Sequence, residues 1–254
     1  MFTTLELTVD GPIGQLWLNR PQRLNALSGT VLAELAAAAR WFDEQDEVRV
    51  VIVGGRGRAF SAGADLDGFP AIGDARLRQA ADAGRLMAEA LEAMRAITIA
   101  RVHGWCVGGG LVLAAACDLR VASDTARFSI PEIDLGIPLA WGGIPRLVRE
   151  IGPALTKELV ITCREFGPDE ARDAGFLNRV VSEETIDDVV QDLAVQIAAK
   201  PAMPVAATKS HVNAVTAQMV GAMRAWNDAD GLIGGLLDPE CSAARQAYIS
   251  KRGR

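Results

Sequence analysis

The chain has 254 residues, half of them hydrophobic and 23% charged, with a formal net charge of −6, the balance of a globular protein with one substantial core. No Lys/Arg-rich run occurs, which argues against nucleic acid and anionic membrane as partners. The longest uncharged apolar run, Trp105 to Cys117, falls short of the ~20 residues that cross a bilayer. The opening MFTTLELTVD lacks a basic-then-apolar signal pattern, so a cytoplasmic location is expected. In chain order, strands are expected at Leu5–Val9 and Ile13–Leu18, separated by the turn signal Asp10-Gly11-Pro12. Asn19-Arg20-Pro21-Gln22 breaks the pattern, and Ser28 caps an Ala/Leu-rich helix running to about Phe42. The β-branched run Val48–Val53 reads as a buried strand. After the loop GGRGRAFSAGADLDG, a long helix fits Asp74–Ala96 and a strand fits Ile97–Val102. An apolar helix opened by three glycines follows, then short strands at Leu119–Ala122 and Ala126–Ser129.

Up to about residue 130 strands alternate with helices, which predicts an α/β fold with mostly parallel pairing. Beyond residue 140 the pattern turns helical, over about Trp141–Ile151, Pro153–Thr162, Pro168–Ala174, Thr185–Ala199 and the segments past Met203. Gly167-Pro168-Asp169-Glu170 is a strong helix start, with proline early and acids in the first turn. The chain thus divides into a core over 1–195 and a C-terminal helical region over 196–254.

The chemistry-bearing residues are few. Cys106, Cys117, Cys163 and Cys241 form no C-x-x-C pair and read as reduced core thiols. The two histidines, His103 and His211, fit no metal motif. His103 ends a strand-like run and reads more readily as structural than catalytic. Neither glycine-rich loop carries a P-loop, a dinucleotide fingerprint or a G-x-S-x-G elbow. What such loops can still offer is backbone N–H at the positive end of a helix, suited to an oxygen that gains negative charge. The alternative is that the glycines serve only close helix–strand packing. A third stretch, SIPEIDLGIP at Ser129–Pro138, sets Glu132 in apolar surroundings.

Taken together, AFSAGADL, HGWCVGGG and PEIDLGIP, with NRPQRLNALS at Asn19–Ser28, GGIPRL at Gly142–Leu147 and the AR-x-AG pattern near residues 171–175, resemble the enoyl-CoA hydratase/isomerase (crotonase) family over nearly the whole chain. The resemblance implies a spiral of ββα units with a C-terminal helical trimerisation region, assembled as a homotrimer or a dimer of trimers. It implies an acyl-CoA thioester as substrate, with coenzyme A entering as part of it and no separate cofactor or metal. It implies an enolate whose oxygen is held by the backbone N–H groups of Ala64 and Gly109. The loop Ala62–Leu66, including Asp65, would run along the coenzyme A, with Gly108 and Trp141 adding to the substrate site. Hydratases of the family use two glutamates; here one position is Glu132 and the other is Val112. A single carboxylate can still carry a proton between two carbons, so the resemblance favours isomerisation of 3-enoyl-CoA to 2-enoyl-CoA. A 2-enoyl-CoA hydratase and an acyl-CoA-binding protein with little turnover are the alternatives. Relatives with a catalytic aspartate carry it where this chain has Ala140. Trp141 stands where small residues are common, and either narrows the acyl pocket or is an ordinary core residue. Asp134 is the one spare acid nearby.

Overall fold

The computed structural model describes residues 2–65, 76–221 and 227–252. Two strands open the chain, β1 (Leu5–Asp10) and β2 (Ile13–Leu18), antiparallel about the Gly11-Pro12 turn. Helix α1 (Gly29–Asp43) follows, with the Ser28 side chain accepting from the Val31 N–H as its cap. The next three units repeat one plan: a long strand of a six-stranded sheet, a tight turn, a three-residue strand of a second sheet, then a helix or the loop that leads to one. They are β3 (Val50–Gly55), β4 (Ala59–Ser61) and α2 (Leu77–Glu92); β5 (Ile97–Val102), β6 (Trp105–Val107) and α3 (Gly109–Ala115); β7 (Leu119–Ser123), β8 (Arg127–Ser129) and α4 (Gly143–Thr162). Helix α5 (Pro168–Asp173) and strand β9 (Arg179–Val181) return the chain to the large sheet, and α6 (Ile186–Ala198), α7 (Ala202–Val220), α8 (Asp228–Leu237) and α9 (Pro239–Arg252) complete it.

The large sheet has the order β1-β2-β3-β5-β7-β9 and the small one β4-β6-β8; every pairing after β1–β2 is parallel. Strand β3 shows why its sequence reads as continuous hydrocarbon. Val51 and Val53 face the main core with α1, α2 and α3, while Val50 and Ile52 face a second layer roofed by Ile186, Val190 and Leu193 of α6. A strand covered on both sides needs apolar residues at every position.

The structure differs from the sequence expectations at four places. The three-residue strands β4 and β6 lie inside stretches read as glycine-rich loops, and β9 was not expected at all. The helix expected from Trp141 begins at Gly143; Trp141 and Gly142 form a left-handed turn ahead of it, with φ of 62° and 68°. The expected start of the long helix at Asp74 lies outside the described residues. The expected break between two helices at Gly152-Pro153 is present as a kink, with Gly152 at φ 75°, ψ 166° inside α4.

Candidate active site

The second strand of each unit delivers a backbone turn to one place. After β4, the chain at Gly63–Ala64 pairs with Leu27: the Leu27 N–H donates to the Gly63 carbonyl and the Asp65 N–H to the Leu27 carbonyl. This segment lies against the start of α3; a Cβ on Gly63 would stand 2.7 Å from the Val107 carbonyl oxygen and 3.5 Å from the Gly109 nitrogen. After β6, the Gly108 N–H donates to the Ser129 carbonyl at the end of β8. Gly109 then begins α3, where the first N–H groups have no partner within the helix. Among the described residues, neither the Ala64 nor the Gly109 N–H donates to a backbone carbonyl. Two free donors, one from each loop, therefore border the same space.

After β8 comes the carboxyl group. Glu132 is 8% exposed and its Oε2 has no hydrogen-bond partner among the described residues. Burial in hydrocarbon disfavours its charged form and pushes its pKa up to about 7 from 4.5. Its carboxyl lies directly against the Cα of Gly108. A Cβ there would collide with Glu132 Oε1, and the backbone at φ 49°, ψ −115° is one that glycine adopts readily. The cavity between these groups is lined by Ala64, Gly109, Val112, Glu132, Trp141 and Leu232, with further apolar groups from Ile137 to Ala140, and its free volume is about 30 Å³. Glu132 is its one carboxylate among the described residues. Val112 is fully buried, and a Cβ on Gly143 would approach its Cγ2 to 2.9 Å, so the wall is tightly packed there. Asp134 is exposed and does not line the cavity.

Most of the residues singled out in the sequence thus come together: Ala64, Gly108, Gly109, Glu132, Trp141, and Val112 beside them. The Ala62 N–H is already engaged by the Leu24 carbonyl. Asp65 does not line the cavity. Its carboxylate receives Arg20 at 2.9 Å and Arg23 at 3.2 Å, and these two guanidinium groups hold its pKa below the usual range against the opposing effect of burial. Asp65 thus anchors the loop to Arg20 and Arg23. Leu66 lies outside the described residues. His103 is buried with Nε2 2.7 Å from the Gly57 carbonyl oxygen, and desolvation lowers its pKa; it stands in the turn before β6, away from the cavity. The four cysteines are free thiols. Two contributors escaped the sequence reading. Leu232, from α8, closes the cavity, and Gly84, in the middle of α2, lies against the indole of Trp141. Nothing local in the sequence marks either one.

A model of the family described as enoyl-CoA hydratase/isomerase matches residues 9–231. The crotonyl-CoA hydratase of Syntrophomonas wolfei subsp. wolfei is 32% identical over 253 residues, 99% of this chain and 96% of that protein. The peroxisomal Delta(3,5)-Delta(2,4)-dienoyl-CoA isomerase of Arabidopsis thaliana is 34% identical over 225 residues, 82% of this chain and 81% of that protein. A Thermobifida fusca YX structure in complex with acetoacetyl-CoA is 31% identical and superposes with a TM-score of 0.77, covering 89% of this chain and 93% of that one. The repeated ββα units, the paired glycine-rich loops and these matches agree, and the chain belongs to the enoyl-CoA hydratase/isomerase family.

Proposed function

We propose that this enzyme moves the double bond of a 3-enoyl-CoA to the 2-position, with Glu132 as its single proton carrier. The observation that carries the reading is the composition of the cavity: among the described residues one carboxyl group, Glu132, lines it, and the neighbouring wall is the hydrocarbon of Val112. The ionised Glu132 takes a proton from C2. The electrons of that C–H bond pass into the thioester carbonyl and form a dienolate. Its oxygen accepts from the N–H groups of Ala64 and Gly109, which have no competing backbone acceptor; one such donor is worth about 3–4 kcal/mol in a transition state. The protonated Glu132 then returns the proton to C4 as the C2–C3 double bond forms. The carboxyl ends as it began, and no water is consumed. A pKa near 7 suits both halves, since the group must accept and then release a proton near neutral pH. Hydration instead adds hydroxide at C3 and a proton at C2, a task that the family's hydratases divide between two glutamates, and Val112 can do neither part.

Coenzyme A would lie along the Ala62–Asp65 backbone, which Asp65 ties to Arg20 and Arg23. Ala140, which stands where some relatives carry a catalytic aspartate, adds no acid. The test is direct: purified protein is given but-3-enoyl-CoA and crotonyl-CoA in parallel. The expected outcome is a bond shift much faster than hydration. Efficient hydration of crotonyl-CoA with no bond shift would overturn the single-carboxylate reading.

A further inference from the structure

The benzo edge of the Trp141 indole lies against the Cα of Gly109, and its pyrrole side lies against the Cα of Gly84 on α2; a Cβ on either glycine would collide with the ring. The indole is 5% exposed and walls the cavity that also holds Glu132. Its backbone is fixed from three sides. Trp141 takes a left-handed φ of 62°, a conformation uncommon for a bulky side chain. The fully buried Arg146 donates to the carbonyls of Trp141, at 3.4 Å, and Gly142, at 3.1 Å. Arg146 is itself held by Glu92 of α2 at 2.5 Å. From the other side, Asp228 at the start of α8 accepts from the Gly142 N–H at 2.7 Å. A side chain packed against two glycines, on a backbone turn held by an arginine and an aspartate, is a built wall, not a swinging one.

The free volume beside it is about 30 Å³. That is room for roughly two water-sized groups, and pockets for larger ligands run to about 300–1,000 Å³. From this geometry we infer that Trp141 sets the acyl length: the indole ends the acyl pocket a few carbons past the thioester, and the site selects short acyl-CoA of about four carbons. The inference rests on the assignment of this cavity as the acyl-CoA site. Gly84 is the second half of the device, because only a residue without a side chain leaves α2 room for the ring.

Binding of two saturated thioesters, butyryl-CoA and octanoyl-CoA, tests it without depending on which reaction the enzyme performs. Each methylene that finds an open apolar pocket tightens binding roughly fourfold, so an open site favours octanoyl-CoA. The expected result is the reverse, with the wild type binding butyryl-CoA at least about tenfold more tightly. Trp141→Ala should shift that ratio toward octanoyl-CoA by roughly tenfold or more, with Trp141→Phe between the two. Wild-type protein that binds octanoyl-CoA as tightly as butyryl-CoA overturns the length limit while leaving the acyl-CoA site standing. A folded Trp141→Ala with an unchanged ratio does the same. Failure of the wild type to bind either thioester overturns the site and the length limit together. If Trp141→Ala does not fold, the wild-type ratio and Trp141→Phe decide by the same criteria.

Discussion

Glu132 carries the sharpest residue-scale consequence because its charge is costly where it sits. Below pH 4.5 its carboxyl is protonated in folded and unfolded chains alike. Between pH 4.5 and about 7 only the unfolded chain ionises, so the wild type loses stability as pH rises through that window. The loss is on the order of 3 kcal/mol once the folded group is ionised as well. Glu132→Gln removes the titration and should gain stability relative to wild type between pH 4.5 and 8; urea unfolding at several pH values checks this, and a pH-independent difference would refute it. The same substitution should cost about 10²–10⁴ in turnover. Wild-type kcat/KM should rise with pH to a plateau, with its midpoint near the carboxyl pKa of about 7, since the reaction begins from the ionised form. Gly108→Ala tests the support of that carboxyl. Its Cβ would occupy the place of Glu132 Oε1, so activity should fall sharply while acyl-CoA binding is retained; unchanged turnover would show that the contact can relax. At this scale the sequence motifs were informative about where Glu132, Ala64 and Gly109 meet, because their placement on one cavity depends on backbone turns that local residues specify. They were silent on which way Asp65 points, since that is decided by Arg20 and Arg23, more than forty positions earlier. Gly84 meets Trp141 only through the tertiary fold.

Elements show a similar division. Strand β3 was legible because burial on both faces leaves an unbroken apolar run, and β5 because β-branched residues fill most of its six positions even though Thr98 and Arg101 interrupt the hydrocarbon. The partners β4 and β6 have three residues each, too few for any period to register, and they exist because each long strand hands the chain to the second sheet. The kink in α4 was legible because Gly152-Pro153 is a local break. The docking of α7 was not, since its one buried side chain finds its partners only through the tertiary fold. Lys209 is 8% exposed, with Nζ donating to Asp118 at 2.7 Å and to the Ala96 carbonyl at 2.8 Å. Asp118 also accepts from both the N–H and the hydroxyl of Thr98. Removing the carboxylate strands three donors and leaves a buried ammonium uncompensated. Asp118→Ala should therefore cost about 3–5 kcal/mol. Lys209→Met leaves Asp118 its two bonds from Thr98 and should cost less, about 1–3 kcal/mol. Denaturant unfolding of both variants gives the order directly, and the reverse order would remove Asp118 as the anchor of this helix.

The whole molecule leaves α7 in an unusual position. Among the described residues of this 19-residue helix only Lys209 is buried, whereas Val212, Val215 and Met219 are 56%, 46% and 71% exposed. Their spacing of three and four places them on one helical face. Helices take most of their stability from packing an apolar face, and a contiguous apolar stripe left open on a single chain marks an interface. A second copy of this chain is the partner that this stripe would fit, since an apolar patch shared by identical chains can bury itself in a symmetric assembly. The net charge of −6 does not oppose this, since none of the three stripe residues is charged. A carboxylate at Val215 should break the contact, because burying it without a partner costs several kcal/mol. Sedimentation at micromolar concentration should show wild-type protein at a multiple of the 26.9 kDa chain mass, and Val215→Asp at lower mass. A wild type that sediments as a single chain would leave the stripe without this partner, and an unshifted Val215→Asp would place the interface on another face.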